Sequence, residues 1–127
     1  EMEIKLGRLW PPSVNHEWMK ARGRIILTPK GRTYRAYVAG KILAMRAHGV
    51  LPKASLTGDL AVAMELYPPD RRRRDVDNYS KAVLDALTHA RLWRDDSQIK
   101  RQTVTVREPK AGGQVVLTIS ELEEDER

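Results

Sequence analysis

The opening stretch MEIKLGRLW sets apolar Met2, Ile4 and Leu6 against polar Glu3 and Lys5. That two-residue period predicts a strand with one buried face, ending at Pro11 and Pro12. Residues 11–31, PPSVNHEWMKARGRIILTPKG, mix Pro, Gly and basic side chains without a period and read as a long irregular segment with a short extended piece at Ile25 to Leu27. From Thr33 as N-cap, TYRAYVAGKILAMRAHG lays Tyr34, Tyr37, Val38, Ile42, Ala44 and Met45 along a helical stripe that stops at Gly49. Leu60 to Tyr67 is an apolar run closed by Pro68 and Pro69, and predicts a mostly buried strand. DNYSKAVLDALTHA gives a second helix, with Asp77 or Asn78 as N-cap and Tyr79, Val83, Ala86 and Leu87 facing inward. QIKRQTVTVRE and GQVVLTISELE are strand-like runs joined by PKAGG, which reads as a hairpin. The order strand, helix, strand, helix, hairpin, with no internal repeat or linker, predicts one α/β domain of α+β type over residues 1–127.

Composition narrows the chemistry. The chain of 127 residues has the size of one domain with a real core; with no Phe, that core should be aliphatic. Zero cysteines exclude disulfides, thiolate nucleophiles and Cys-type zinc sites, and fit a reducing interior. Apolar runs fall far short of the ~20 residues of a membrane span, and EMEIKLGRLW lacks the apolar stretch of a secretory signal, so a soluble, cytoplasmic protein that makes no use of a membrane is expected. Formal charge is +6, but the tail ELEEDER (121–127) carries −4, leaving +10 on residues 1–120. The tail is expected to fray, and the basic body makes nucleic acid the leading partner.

The densest charge lies at RRRRDVDN (71–78), where Arg71, Arg72, Arg73 and Arg74 run into Asp75 and Asp77, with Asp95 and Asp96 downstream. Asp75 and Asp77, two apart, would share a side of an extended chain while Val76 points to the core. Hard divalent cations such as magnesium take oxygen ligands and complete their shell with water and phosphate. A helix and a short return segment would let Asp95 or Asp96 supply a third carboxylate. The competing reading is equally simple: Asp-x-Asp-Asn is a turn and helix cap, and Asp-Asp-Ser another turn. Lys81, four residues after Asp77, shares its helical face, either as an ordinary ion pair or as a cation for a reacting phosphate. The arginines are read as phosphate contacts rather than a merely solvated loop.

PDRRRRDVDNYSKAVLDALTHARLWRDDSQI resembles the central motif of the RusA-type Holliday junction resolvases, endonucleases of bacteria and phages. The resemblance lies in the Asp-x-Asp-Asn, the helix with its Lys and Asp-Ala-Leu, and the Trp-x-Asp-Asp at fixed spacing. WPPSVN near the start is similar to the family's Pro-Pro-Ser-x-Asn opening, so the likeness covers nearly the whole chain. It implies a mixed sheet of about four strands packed with two helices, a homodimer, and magnesium-dependent cleavage of four-way DNA junctions by paired nicks, with manganese as a substitute. Matched residue by residue, the family's acidic positions fall on Asp75, Asp77 and Asp96, its functional lysine on Lys81, and Asp95 is a further candidate ligand. THARLW departs from the family, which commonly has Gly after this helix, so Arg91 must be accommodated differently. A bacterial interior, with a phage or chromosomal gene, follows from the same likeness.

Weaker signals remain. His16, His48 and His89 are scattered without ligand spacing. Trp18, among Lys20, Arg22 and Arg24, is read first as a core residue and second as an aromatic that stacks on an unpaired base or wedges a junction centre. Lys20, Arg22, Arg24 and Asn15 are candidate DNA contacts with it. Two other functions compete with junction resolution. A non-cleaving basic binding module is disfavoured by carboxylates beside its phosphate contacts; a metal-dependent nuclease of broader DNA taste differs only in substrate shape.

Overall fold

The computed structural model describes residues 1–7 and 9–126; Arg8 of the opening stretch and Arg127 of the tail lie outside the described residues. Strand β1 is Met2–Lys5, helix α1 Val14–Glu17, β2 Trp18–Ala21, β3 Arg24–Leu27, α2 Pro29–Ala47, β4 Leu60–Tyr67, α3 Val76–His89, β5 Ile99–Val106 and β6 Gln114–Glu121. One sheet has the order β1-β6-β4-β5, and β2 and β3 form a separate ribbon. The chain is thus α+β, with a mixed four-stranded sheet and two main helices.

In β4 the alternation is strict: Leu60, Val62, Met64 and Leu66 are buried while their neighbours are not. Across the antiparallel β4–β6 register Val62 meets Ile119, Met64 meets Leu117 and Leu66 meets Val115. These residues, Ile4 of β1, Tyr34, Val38 and Ile42 of α2, and Val83, Ala86 and Leu87 of α3 make one core cluster. Trp93, fully buried, closes its end and donates its indole N–H to the Thr88 hydroxyl at 2.6 Å. A buried indole donor left unpaired would cost about 1–3 kcal/mol.

Six expectations need correction. Segments 99–106 and 114–121 are strands but not a hairpin. β5 returns through α3 to pair in parallel with β4, and β6 pairs with the other edge of β4. The loop between them therefore crosses the end of β4, where Arg107 N–H and Lys110 N–H donate to the carbonyls of Leu66 and Pro68. Residues 11–31 are more regular than expected. Short helix α1 leads into the β2–β3 ribbon, turned by Arg22 and Gly23 with φ of 53° and 74°, the two positive angles of a two-residue hairpin. Three of the four β2 residues are exposed and the fourth is half-buried, so no buried period marked the strand. Trp18 on that ribbon is 36% exposed, which overturns its first reading as a core residue.

Helix α2 starts at Pro29, not after Thr33. Thr28 is its N-cap, accepting from Gly31 N–H at 3.1 Å, and proline at the first helical position is pre-set for the turn. Ala44 of the expected stripe is exposed, though Gly49 does stop the helix at φ +75°. Lastly, the acidic tail does not simply fray: Glu121 belongs to β6, Leu122 is buried and its N–H donates to the Asp59 carbonyl at 2.9 Å.

Candidate active site and nucleic-acid interface

Helix α3 begins at least two residues earlier than expected, and that changes the geometry of the first aspartate pair. Asp75, not Asp77 or Asn78, is the N-cap, accepting from Asp77 N–H at 3.2 Å. Val76 and Asp77 are already helical. The two carboxylates therefore do not project together from an extended chain, and both residues are exposed. An anionic cap is favourable at the positive end of the helix dipole, which gives Asp75 a local role of its own. Asp95 is likewise a cap. It accepts from Ser97 N–H at 3.0 Å at the head of the 3-10 turn Asp96–Gln98, while Gln98 accepts from Asp95 N–H at 3.0 Å.

From that first turn onward, one face of α3 carries Asp77, Ser80, Lys81, Leu84 and Asp85. With Asp96, Ile99 and Gln102 they line an open cleft of about 360 Å³. Three of the expected site residues, Asp77, Lys81 and Asp96, thus meet here; Asp75 is not among the lining. Lys81 pairs not with Asp77 but with Asp85, its Nζ 3.8 Å from Oδ1. Asp85 and Asp96 also border a neighbouring depression with Trp18, Arg35, Thr88, His89 and Arg91, so the β2 ribbon stands beside the acidic ridge. Asp95 holds the Asp96 carboxyl above its ordinary range through their hydrogen bond and like charge. Asp95 itself is lowered, first by Ser97 N–H and then by Asp96.

On the other flank of α3, Tyr79 and Trp10, with ring centroids 5.6 Å apart, stand in a larger cleft of about 590 Å³ with Arg72, Arg73 and Arg74. The four arginines are not equivalent. Arg74 is nearly enclosed, its side chain 12% exposed, and binds Asp70 at 2.7 Å; its guanidinium lies 5.9 Å from the Trp10 ring centroid. Arg72, 81% exposed, reaches the same carboxylate at 3.2 Å. Together their donors pull Asp70 down to about 2. Arg71 and Arg73 are exposed. So are Lys20, Arg22 and Arg24 on the β2–β3 ribbon and Asn15 on α1.

A family model described as Endodeoxyribonuclease RusA matches residues 10–120. The chain belongs to the RusA family. It is 39% identical over 113 residues to the crossover junction endodeoxyribonuclease RusA of Enterobacteria phage 82, spanning 89% of this chain and 90% of that one. The same-named proteins of Escherichia coli K12 and Shigella sonnei are 38% and 37% identical over the same shares.

Two features of this RusA-family chain escaped the sequence. Asp85 sits four residues after Lys81 and eight after Asp77, so helical spacing alone could have placed it on the same face. Gln102 could not have been found without knowing that β5 pairs beside β4. The expected departure at Arg91 is resolved by backbone geometry: it takes φ +64° itself, the left-handed conformation that favours glycine. Its carbonyl is held by Arg46 Nη2 at 2.8 Å and the Ser55 hydroxyl at 2.7 Å.

As for a cation, the donors fit in kind, since Asp77, Asp85 and Asp96 offer hard oxygens to one open cleft. Among the described residues no three acidic or imidazole groups are already close enough to hold an ion. Magnesium binds through one or two carboxylates and fills its shell with water and phosphate oxygens, so the substrate itself would complete the set. Among the described residues no helix is long and apolar enough to cross a membrane.

Proposed function

We propose that the protein is a magnesium-dependent endonuclease that resolves four-way DNA junctions by paired nicks, acting as a homodimer inside a bacterial cell. The observation that carries this is the juxtaposition at α3. An acidic cleft with one lysine lies on one flank and an arginine-rich, carboxylate-free cleft on the other, as cutting a polyanion requires. Relatives named crossover junction endodeoxyribonucleases support the substrate class.

In this reading Asp77, Asp85 and Asp96 hold the cation, Asp95 tunes Asp96, and Asp75 fixes the start of α3 so that Asp77 faces the cleft. A bound magnesium ion supplies the charge that offsets the scissile phosphate and promotes in-line attack by water; manganese would serve the same ligands. Lys81 steadies negative charge on the scissile oxygens at a distance set by Asp85. Arg71, Arg72 and Arg73 hold the phosphate backbone, and the ribbon with Trp18, Lys20, Arg22 and Arg24, beside Asn15, contacts the branch. Two nicks on opposed strands need two sites related by a two-fold, which a symmetric dimer provides.

The test compares four-way, duplex and single-stranded DNA with magnesium, with EDTA, and with Asp77→Asn and Asp96→Asn. Junction-selective cutting that chelation and either substitution abolish, with junction binding retained, is the expected result. Cutting that survives chelation would remove the metal, and equal cutting of duplex would favour the broader nuclease.

A further inference from the structure

The arginine-rich cleft is more than a strip of positive charge. Its floor and walls are Trp10, Tyr79 and Tyr34, framed by Pro11, Pro12, Pro29 and Pro69, and its mouth carries Arg72, Arg73 and Lys30. No carboxylate lies among its lining residues. At about 590 Å³ it has the volume of a small-ligand site rather than of a backbone groove. Its parts are held in place. Arg74, locked to Asp70 at 2.7 Å, backs the Trp10 ring, and the close approach of Gly113, where a Cβ would meet Trp10 at 2.8 Å, fixes that ring from behind. A backbone-binding strip has no use for prolines and tilted aromatic rings, and an acidic peptide would use the arginines but not the flat walls.

Tyr79 is two residues after Asp77, roughly 200° around the helix, so the aromatic cleft and the acidic cleft flank the same turn of α3. A DNA strand whose phosphate lies over that turn has its neighbouring nucleotide at the mouth of the aromatic cleft. We infer that this cleft takes one unpaired nucleobase from next to the branch point, stacked on Tyr79 and Trp10 with its phosphate on Arg72 and Arg73. Bases at a branch leave the stack more easily than those in a duplex, and aromatic stacking accepts any base because every base has a π face. The site would therefore act as a shape reader: only DNA with a base free to leave its stack can seat its backbone at the acidic cleft.

This inference rests on the reading of the protein as a branched-DNA nuclease, and the experiment separates the two. A four-way junction carrying single abasic positions, stepped through the branch, is titrated in calcium with the full-length wild type and with Tyr79→Leu, which keeps apolar bulk; Trp10→Leu is the second variant, with melting curves for both. Cleavage of the intact junction in magnesium is measured alongside. At one position next to the branch the abasic change should weaken the wild type by roughly 5- to 100-fold while leaving both variants within about twofold of their own intact-junction affinity. A flat scan for the wild type, or equal weakening in wild type and variants, overturns the base site even where the junction is cut normally. Failure of the wild type to bind or cut any branched DNA overturns the nuclease reading and the branch-point assignment with it.

Discussion

Asp85 offers the sharpest separation of structure from chemistry, because the forces on it nearly cancel. Its partner Lys81 stands 3.8 Å away, with side-chain exposures of 62% for the lysine and 22% for the aspartate. Two unit charges at that distance would gain about 4 kcal/mol at an effective dielectric of 20, but a pair with its cation largely in water retains only about 0.3–0.5 kcal/mol. Against this, Asp85 pushes both buried Glu17 and Asp96 toward their protonated forms, a repulsion that its removal relieves. Asp85→Asn should therefore change stability by no more than about 0.5 kcal/mol in either direction, or ~2 °C in Tm. If Asp85 serves the cleft, single-turnover cleavage of a four-way junction at saturating protein should fall about 10- to 100-fold, and the magnesium needed for half-maximal cutting should rise. Cleavage within about twofold of wild type would reduce Asp85 to a surface partner of Lys81. A loss of cutting that tracked a large fall in Tm would make it a folding residue.

Three further outcomes are expected. Glu17 is fully buried, and burial, outweighing Arg35, Lys81 and Trp18 and aided by Asp85, raises its carboxyl above the ordinary 4.5. The fold then binds more protons than the unfolded chain above pH 4.5, so stability falls as pH rises through the raised value. Glu17→Gln, a mimic of the protonated form, should melt higher than wild type at pH 7.5 and equal to it near pH 4, and parallel melting curves at both pH values would contradict this. Arg91→Gly relieves a left-handed residue, worth about 1–2 kcal/mol, less the ~0.5–1 kcal/mol of chain entropy that glycine adds; a gain of about 0.5–1 kcal/mol in urea melts is expected, and any fall would show that the Arg91 side chain matters. Neutralising Arg72 and Arg73 should weaken binding to every DNA shape and flatten the log-log salt dependence on duplex by about 0.9 for each phosphate no longer neutralised; an unchanged slope would mean that neither touches phosphate.

How much of this could be read from the residues depends on whether the deciding interaction is local. Leu60 to Tyr67 was legible to its ends because each buried residue alternates with an unburied one and two prolines close the run. Helix α3 was legible as a helix, but its cap was displaced by two residues because Asp75, Asp77 and Asn78 are all good caps and only the backbone decides among them. Of the β2–β3 ribbon only the extended piece at Ile25 to Leu27, most of β3, was legible; β2 was missed because its exposed residues show no buried period. That β5 and β6 do not pair was beyond sequence reading altogether. Both runs are good strands and the loop between them holds glycines, yet the partner of each is β4, more than thirty residues upstream. Asp77, Lys81 and Asp96 were placed in one site by family resemblance, and the structure brings them to one cleft; that Asp75 and Asp95 each commit a carboxylate oxygen to capping appears only in their hydrogen bonds.

Those two caps bear on why so much opposite charge sits in so short a stretch. Arg72 and Arg74 are partly neutralised by Asp70, and Asp75 and Asp95 are held by backbone N–H groups, so the free charge is smaller and better sorted than RRRRDVDN suggests. The rest separates across α3: arginines with aromatic rings on one flank, and Asp77, Asp96 and the Lys81-paired Asp85 on the other. A helix one turn thick keeps the two signs far enough apart that the arginines are not simply neutralised by the site's own carboxylates. It also keeps them near enough that one strand can engage both at once. An approaching phosphate meets the arginines first, since the acidic flank repels it until a cation is bound. Binding without magnesium should therefore be led by the aromatic flank, and the cation's effect on affinity should shrink in Asp77→Asn, where there is less repulsion for it to remove. Measured junction affinities with and without calcium decide it: a cation effect of the same size in Asp77→Asn as in wild type would show that the acidic flank does not govern approach.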